Sequence, residues 1–234
     1  MKQATWTSSI PSFAKIEPFR ALTTEAVERV QQQCNWRHYE VGELILDYLD
    51  KSDEVFFITE GEARVSIYSV DGKAITFSDL KAGDMFGEIS AIDHGLRSAS
   101  IEARSRCCIV SMTAVAFVSL LKTEPELAFE MLQRLARKIR ELTNRVYEFS
   151  SLDVANRTRA ELLRLARLAT RQGQRAKIEP APTHAEIASR ISTHREAVTR
   201  ELNRLSKLGL VERRGTLLIV NDIERLEEMV EDLS

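Results

Sequence analysis

The chain has 234 residues, of which 44% are apolar and 29% are charged, so it is long enough to bury one large core or two smaller ones. No apolar run approaches the ~20 residues that a membrane-spanning helix needs, and residues 1–12 lack the apolar segment of a signal peptide. These features argue against a membrane-embedded protein and predict a cytoplasmic one.

The cysteines predict buried free thiols. Cys34, Cys107 and Cys108 are too few for a disulfide framework. Neighbouring residues of a strand point to opposite faces, so Cys107 and Cys108 form a poor pair of metal ligands. We therefore expect neither a disulfide nor a metal centre.

The net charge of −2 hides a strongly basic segment. Residues 1–155 carry 18 Lys and Arg against 23 Asp and Glu, residues 156–220 carry 14 against 6, and residues 221–234 carry 1 against 6. The middle segment therefore has a net charge of +8, which is typical of a region that binds a polyanion such as DNA. A solvated basic face is the alternative.

Residues 40–111 predict a domain of short β-strands. Runs of branched and aromatic residues at 55–58, 63–70 and 74–77 are separated by turn signals. Asp71-Gly72, between two of these runs, is typical of a β-hairpin. Short strands at even spacing favour a barrel or sandwich, here a β-roll.

A long helix is predicted from Pro125 to about residue 151. No further Gly or Pro interrupts this stretch, and apolar residues recur alternately three and four positions apart. With Arg and Glu at flanking positions, this alternation favours pairing with a second copy of the chain over packing on the chain's own β domain. The expected dimer seam consists of Leu132, Leu135, Ile139, Leu142, Val146 and Phe149.

The segment that follows predicts two helices and a loop. One helix covers about 154–172, and Gly173 with the following prolines marks the loop behind it. Thr183 with Glu186 three residues later forms a capping-box pattern at the start of a short helix, 185–190.

A second helix and a wing complete the pattern. After a break at 191–192, the helix runs over about 193–208 and stops at Gly209, which suits a helix C-terminus. Residues 210–220 predict a two-stranded wing. Helix, short turn, helix and hairpin together predict a winged helix-turn-helix. The stripe expected to face its core is Val198, Leu202 and Leu205.

The second helix presents the expected DNA-reading residues. Arg195, Glu196 and Arg200 lie in its N-terminal half, the part of a recognition helix that meets base edges. Arginine can bond to O6 and N7 of guanine together, and glutamate can accept from N4 of cytosine. The alternative is an exposed charged helix with pairs such as Glu196–Arg200. Candidates for phosphate contacts are Thr183, His184, Thr193, His194 and Arg214.

Residues 86–100 predict a site for a small cyclic phosphodiester. The segment leaves a strand, passes through a short helical turn and re-enters a strand. Arg97 supplies a permanent cation for one phosphate charge, and the Ser98 hydroxyl with backbone N–H groups completes an anion site. Glu88 is placed to accept from a ribose hydroxyl, and Gly87 permits close approach of the backbone. The alternative is a surface ion pair between Glu88 and Arg97.

These motifs carry a family resemblance. Gly87-Glu88 followed by Arg97-Ser98-Ala99 is similar to the phosphate-binding cassette of cyclic-nucleotide-binding domains. Ser-Thr-His-Arg-Glu-Ala-Val-Thr-Arg at 192–200 resembles the recognition helix of the cyclic AMP receptor protein (CRP/FNR) family. The order of roll, long helix and winged helix resembles this family over about residues 13–220. Ser192 departs from a frequent glycine of the family, and His194 from a frequent serine.

The resemblance implies a cyclic nucleotide effector, cyclic AMP or cyclic GMP, and no metal. It implies that Glu88 binds the ribose, that Arg97 and Ser98 bind the phosphate, that Thr143 contacts the base and that Asp153 is a hinge. The full implied ligand set is Val65, Phe77, Gly87, Glu88, Ile89, Arg97, Ser98, Ala99, Thr143 and Asn144.

We therefore expect an α+β protein of four parts. These are a cyclic-nucleotide-binding β-roll (jelly roll) at 1–124, a dimerisation helix at 125–152, a winged helix-turn-helix at 153–220 and an acidic tail at 221–234 with an amphipathic helix pattern. The expected function is that of a non-enzymatic homodimeric transcription regulator. Its ligand would reposition the recognition helices on a palindromic operator, with RNA polymerase as a further partner.

Three alternatives remain open at this point. The same scaffold could respond to haem through His38 or His94, whereas an iron–sulfur version would need more cysteines near the N-terminus than Cys34. A cyclic nucleotide phosphodiesterase would need clustered His and Asp ligands, which four scattered histidines do not supply. A ligand-binding module that works without DNA would not need the +8 segment.

Overall fold

The structure is a computed structural model that describes residues 16, 18–19, 22–68 and 74–231. The Asp71-Gly72 hairpin turn and Leu233 of the expected amphipathic tail pattern lie outside the described residues. The chain forms two compact units, Met1–Ile67 with Phe77–Ala136 and Tyr68–Thr76 with Arg137–Ser234. No helix in the described part of the chain combines the length and apolarity needed to cross a bilayer.

The N-terminal half is a β-roll flanked by helices. Its elements are α1 (Thr24–Gln31), β1 (Asn35–Tyr39), β2 (Leu44–Leu46), β3 (Val55–Glu60), β4 (Glu62–Tyr68), β5 (Ala74–Lys81), β6 (Met85–Phe86), α2 (Glu88–Asp93), β7 (Ser100–Ala103), β8 (Cys107–Met112) and α3 (Ala114–Thr123). One sheet has the order β1-β8-β3-β6 and the other has the order β2-β7-β4-β5. The strand runs predicted at 55–58 and 74–77 are confirmed, and the run at 63–70 is confirmed through residue 68, the last one described there.

The core of this half lies around the central strands β3 and β8. Phe57 pairs with Val110 across these antiparallel strands, and both are fully buried together with Phe117 of α3. Burying a side chain of this size contributes about 1.5–3 kcal/mol. A stacked pair, Phe56 and Phe86, joins β3 to β6 with ring centroids 5.1 Å apart. The strand that leads into the predicted phosphodiester segment is thus held rigidly.

The cysteines are free thiols, as expected. Cys107 and Cys108 are buried in β8, and Cys34 is half-buried. Burial raises the pKa of the Cys34 thiol to about 12, so at neutral pH it is a protonated, unreactive group.

The long helix α4 runs from Pro125 to Ser151, as the sequence predicts. Its 27 residues span roughly 40 Å. Leu127 and Met131 are buried in the core of the first unit. Most of the remaining helix is exposed, so its stability does not come from burial within this chain.

The C-terminal half is a winged helix-turn-helix built on one core. Its elements are α5 (Val154–Leu168), β9 (Thr170–Gln172), β10 (Arg175–Ile178), α6 (His184–Arg190), α7 (Arg195–Lys207), β11 (Val211–Arg214), β12 (Leu217–Val220) and α8 (Ile223–Glu231). The strands form a sheet in the order β11-β12-β10-β9. Thr183 caps α6 with the predicted capping box, and Gly209 follows α7 at a φ of +73°.

Two sequence-based boundaries are wrong. The helix predicted over 154–172 ends at Leu168, and residues 170–172 form an edge strand instead. The residues predicted as loop before Thr183 contain β10, which pairs with β12 through Lys177 and Ile219. The wing is therefore part of a four-stranded sheet, because the hydrogen bonds of β10 come from strand β12, about 40 residues away along the chain.

The expected acidic tail is an integral part of this half. α8 places Ile223 and Leu226 in the core of the helix-turn-helix, with Met229 and Val230 packed against it. Its acidic side chains lie on the other face, where Glu227 pairs with Arg167 of α5 at 2.8 Å. The core of the domain thus continues past residue 220, where the sequence analysis ended it.

Candidate functional site

The predicted phosphodiester segment is a loop and short helix between two strands. Gly87 follows β6 with φ +82°, a left-handed conformation that suits glycine, and stands at the N-terminus of α2. A Cβ at this position would lie 2.7 Å from both Arg97 Nη1 and the Glu54 carbonyl oxygen. Glycine is therefore required at this position by backbone conformation and by space.

Arg97 is buried inside the roll, at 2% exposure. Its Nε donates to Ser52 Oγ at 3.0 Å, its Nη1 to the Gly87 carbonyl at 3.0 Å and its Nη2 to the Glu54 carbonyl at 2.8 Å. The guanidinium carbon also lies 5.7 Å from the centre of the Phe56 ring. The surface ion pair with Glu88, the alternative considered above, is thereby excluded as the role of Arg97.

The buried cation is held by neutral oxygens. Burial lowers the pKa of Arg97, and the carboxylates of Asp50 and Asp53 oppose that effect. Within the described residues no carboxylate forms an ion pair with this guanidinium, although buried charges are usually paired. Arginine stays protonated even when buried, so the site carries a positive charge that nearby carboxylates offset through space and not by a direct ion pair.

Ser52 and Glu54 were not found by sequence reasoning. They lie 45 and 43 residues before Arg97, in the stretch that leads into β3. The Ser52 hydroxyl also donates to Asp50 Oδ2 at 2.9 Å. No sequence motif identifies these two residues, because Ser52 contacts Arg97 through a single hydroxyl and Glu54 contacts it through the backbone carbonyl.

The other residues of the implied ligand set differ in exposure. Ser98 and Ile89 are exposed, whereas Glu88, Ala99, Val65 and Phe77 are half-buried.

Thr143 and Asn144, the expected base contacts, are exposed residues of α4 in the second unit. The Thr143 hydroxyl donates to the Ile139 carbonyl of its own helix at 2.9 Å, which leaves the oxygen free only as an acceptor.

The predicted dimer seam is an exposed apolar stripe on α4. Leu132, Ile139 and Val146 are 63%, 64% and 65% exposed, and Leu142 and Phe149 are also exposed. Leu135 is half-buried. An exposed contiguous apolar stripe of this length is typical of interaction surfaces, and its role as the dimer seam stays a prediction.

The recognition helix presents its predicted residues to solvent. Arg195 begins α7, and Arg195, Glu196 and Arg200 are all exposed. In the part of the chain that the structure describes, Glu196 and Arg200 do not form the i,i+4 ion pair that was the alternative. The predicted inward stripe, Val198, Leu202 and Leu205, is buried in the core.

A buried ion pair between α5 and α7 holds the recognition helix in place. Arg159 of α5 donates to Glu201 Oε1 at 2.7 Å, and both residues are 6% exposed. Arg159 also donates to Asn156 Oδ1 at 2.6 Å and to the Met229 carbonyl of α8. The pair thus connects three helices, and sequence analysis did not identify it.

The residues expected to contact phosphates are not equivalent. His194 is exposed at the N-cap of α7, whereas Thr193 is only 8% exposed, and the phosphate contacts of both residues stay predictions. Thr183 is occupied by the capping box. Arg214 pairs with Glu212 on the wing at 2.6 Å but remains largely exposed.

A hydrogen bond to Thr199 fixes the tautomer of the neutral His184 ring. The Thr199 hydroxyl donates to the Arg195 carbonyl at 2.9 Å, so it accepts from Nδ1 of His184, which lies 2.7 Å away. The neutral ring therefore carries its proton on Nδ1 and leaves Nε2 available. Burial lowers the pKa of His184, and the nearby Arg213 and Arg195 lower it further.

Two alternatives from the sequence concern histidines. His38 on β1 and His94, which follows α2 at φ +60°, are both exposed. In the described part of the chain, no group of three or more His, Cys, Asp or Glu residues is arranged to hold a metal ion.

Comparison with known families matches both halves of the chain. Residues 36–124 match the model of the cyclic nucleotide-binding domain, and residues 133–229 match the model of the Crp-like helix-turn-helix domain. The second match includes most of α8, in agreement with its place in the core.

Similar proteins have the same two-part organisation. The chain is 27% identical over 209 residues to the CRP-like cAMP-activated global transcriptional regulator of Mycobacterium tuberculosis, covering 89% of this chain and 93% of that protein. The structure of a CooA mutant from Carboxydothermus hydrogenoformans has a TM-score of 0.77 at 22% identity, over 86% of this chain and 90% of the other. The Thermus thermophilus catabolite activator protein has a TM-score of 0.54 at 27% identity, over 93% and 100%.

These similarities decide between the classes considered above. The curated relative is named as a transcription regulator, and the helix-turn-helix domain indicates DNA binding, so the chain is a regulator and not an enzyme. With a cyclic nucleotide-binding domain before a Crp-like helix-turn-helix domain, the chain belongs to the CRP/FNR family of transcription regulators.

Proposed function

We propose that this protein is a homodimeric transcription regulator that is activated by cyclic AMP. The observation that carries the proposal is Arg97, a buried cation that only neutral oxygens hold. An anion of one negative charge that reached this guanidinium would be attracted by a buried positive charge that no carboxylate of the described residues pairs with directly. A cyclic phosphodiester carries one such charge and is small enough for a roll interior.

The neighbouring residues fit the rest of that ligand. Ser98, next to Arg97, supplies a hydroxyl for the phosphate, and Glu88 at the start of α2 supplies a carboxylate for the ribose hydroxyl. Val65 and Phe77 supply apolar surface for the base, with Ile89 and Ala99 beside the cassette. The family resemblance assigns the base contact to Thr143, with Asn144 beside it, on α4.

Cyclic AMP is favoured over cyclic GMP by the relatives. Curated relatives at 26–27% identity are named as cAMP-activated. Thr143 does not discriminate between adenine and guanine. Its hydroxyl donates a hydrogen bond within α4, so only its oxygen can accept one from a base. Cyclic GMP is the second candidate.

Dimerisation would cover the exposed stripe of α4. In a two-fold dimer, the α4 stripe of a second copy would pack against the α4 stripe of the first, as in a two-stranded coiled coil. Two recognition helices would then face successive major grooves, about 34 Å apart, on a palindromic operator. The ligand activates if it binds more tightly to the state that has this spacing.

In this proposal Asp153 is the hinge. It lies between α4 and α5, and its side chain accepts from the Asn156 N–H at 2.8 Å. Residues 1–124 form the ligand domain, residues 125–152 the dimerisation helix, and the domain from residue 153 binds DNA and contacts RNA polymerase.

Calorimetric titration tests the ligand. We expect the dimer to bind cyclic AMP more tightly than cyclic GMP and not to bind 5′-AMP, whose phosphomonoester carries up to two charges and whose ribose has a free 3′-hydroxyl. Arg97→Leu should abolish binding, whereas Arg37→Leu, an exposed arginine on β1, should not. Absence of heat with both cyclic nucleotides, or retained binding in Arg97→Leu, would overturn the proposal.

DNA binding is measured on a palindromic sequence selected from a random library in the presence of cyclic AMP. We expect the ligand to raise the DNA affinity of the wild type and of Arg37→Leu only. The DNA affinity should also fall steeply with salt, because phosphate contacts release counterions.

The remaining alternatives have direct tests. A haem-responsive protein would show a Soret band after purification, whereas we expect a colourless protein. A phosphodiesterase would consume cyclic AMP, whereas we expect the nucleotide to be intact after prolonged incubation.

A further inference from the structure

Glu161 of α5 is fully buried and lies among three arginines. Its Oε2 pairs with Arg164 of the same helix and lies 3.6 Å from Arg145 Nη2 of α4. Its Oε1 lies 3.7 Å from Arg190 Nη1 at the end of α6. All these residues belong to the second unit. We call Glu161, Arg145, Arg164, Arg190 and Glu148 the Glu161 cluster.

The cluster is extended by two further contacts. Arg164 Nη2 donates to both oxygens of Glu148 on α4, at 2.8 and 2.9 Å. Arg145 Nη1 donates to the Arg190 carbonyl at 2.7 Å. One arginine of α4 thus bonds both the carboxylate of α5 and the backbone at the end of α6, which is the first helix of the helix-turn-helix.

The cluster connects α4 to the helix-turn-helix domain through charged groups and not through the apolar core. The core of the second unit consists of apolar residues on α5 to α8, whereas α4 contributes none of the residues that form it. Arg145 and Glu148 are therefore the ionic contacts that tie the described part of α4 beyond Arg137 to that domain.

The cluster is also imperfectly satisfied. Glu161 Oε1 is buried and accepts no hydrogen bond, and burial together with Arg164 lowers the pKa of Arg145. Buried ion pairs of this kind contribute little net stability against an apolar core, but they specify one arrangement of the helices that they join. Such a contact suits a joint between two parts that change their arrangement.

The position of Arg145 on α4 relates it to the ligand. Thr143 precedes Arg145 by two residues, so their side chains leave the helix about 200° apart, at 100° per residue. A rotation or shift of α4 that follows ligand contact at Thr143 must therefore move Arg145 on the opposite side.

We propose that Glu161 is a positioning residue that transmits the state of α4 to the helix-turn-helix through Arg145 and Arg190. The inference rests on the proposed function, in which ligand occupancy is sensed by α4. Arg145 on α4 contacts both α5 and α6. A movement of α4 would therefore displace these two helices together.

The test measures, for each variant, how strongly cyclic AMP changes the DNA affinity, and compares this effect with the thermal stability of the variant. For each variant, the DNA affinity is measured with and without saturating cyclic AMP, and their ratio is the coupling. Arg145→Met and Glu161→Gln should lower this ratio at least tenfold and leave the cyclic AMP dissociation constant within about twofold. Arg140→Met, an exposed arginine on the same helix, is the matched control and should keep the wild-type ratio.

A double variant separates positioning from general destabilisation. Arg145→Met with Glu161→Gln should reduce the coupling no further than either change alone, because both remove the same link. Thermal unfolding is followed in parallel, and Arg145→Met decides the matter if Glu161→Gln does not fold. A ratio within twofold of wild type in folded Arg145→Met would overturn the inference.

A second measurement does not depend on the ligand. Spin labels at positions 141 and 207, in a Cys34→Ser background and with the labelled chain diluted in excess unlabelled chain, report the distance from α4 to α7 within one protomer. The wild type and Arg140→Met should give one narrow distribution, and Arg145→Met a broader or shifted one. If the wild type shows no response to cyclic AMP, the proposed function fails, and an unchanged distribution in Arg145→Met would then overturn the inference by itself.

Discussion

Arg97 donates a hydrogen bond to the carbonyl of Gly87 at 3.0 Å, and the same guanidinium occupies the space that a side chain at position 87 would need. Gly87 therefore helps to hold Arg97, both by accepting its hydrogen bond and by leaving space for its guanidinium. The left-handed φ of Gly87 turns its carbonyl toward Nη1 while the chain enters α2.

Gly87→Ala should therefore lose ligand binding. The new Cβ meets Arg97 Nη1 and the Glu54 carbonyl at 2.7 Å, so the arginine must leave its seat. We expect cyclic AMP affinity to fall at least tenfold and the free energy of unfolding to fall by about 1–3 kcal/mol. Calorimetry and thermal unfolding measure the two effects. Gly215→Ala is the control, since it has φ +58° but open space around it, and wild-type affinity in Gly87→Ala would contradict the assigned seat.

Arg159→Met should destabilise the DNA-binding domain by about 3–5 kcal/mol, because it leaves Glu201 charged and buried without its partner. Arg204→Met removes a 3.5 Å contact to the same carboxylate from a side chain that is 56% exposed, so it should cost less than about 1 kcal/mol. Urea unfolding of the two variants measures the difference. Equal effects would show that the Arg159 pair does not hold α7.

His184 predicts a pH dependence of stability. Its pKa is lowered in the folded protein, so the unfolded chain binds a proton more readily. The contribution of His184 is fully present above the unfolded pKa, about 6.5, and is lost as the pH falls through that value toward the folded pKa. His184→Asn should flatten the fall of the unfolding midpoint below pH 6.5, whereas His38→Asn, on the roll, should not. An unchanged slope in His184→Asn would refute this assignment.

The same group predicts proton uptake on DNA binding. A phosphate near the available Nε2 would raise the pKa of His184 again, because it stabilises the imidazolium. We expect the DNA affinity of the wild type to increase from pH 8 to pH 6 more than that of His184→Asn. Fluorescence anisotropy at constant ionic strength measures both, and parallel curves would remove His184 from the phosphate contacts.

Val146→Asp should break the dimer. Val146 is 65% exposed on the stripe of α4, and a charge there would be buried against the second copy. Sedimentation should give about twice the mass of one 26.6 kDa chain for the wild type and a single chain for the variant. Val115→Asp, an 80% exposed residue on α3, should stay dimeric. A dimeric Val146→Asp would place the interface elsewhere.

The sequence alone determined the features that local signals encode. The strand runs over 55–58 and 74–77, the uninterrupted helix from Pro125 to Ser151 and the capping box of Thr183 depend on residues within a few positions of one another, and the structure has them where they were predicted. The cassette and the recognition helix were predicted from one continuous segment each and from the family resemblance that these segments carry.

Only the tertiary structure decided what distant residues contribute. Residues 170–172 form a strand because β10 pairs with them and is itself held by β12, whereas their own sequence extends the helical pattern. The burial of Thr193, the seat of Arg97 on Ser52 and the Glu54 carbonyl, and the Glu161 cluster all arise from contacts between segments far apart in the chain. Periodicity and capping carry no information about such contacts, because they depend on which surfaces the folded chain brings together.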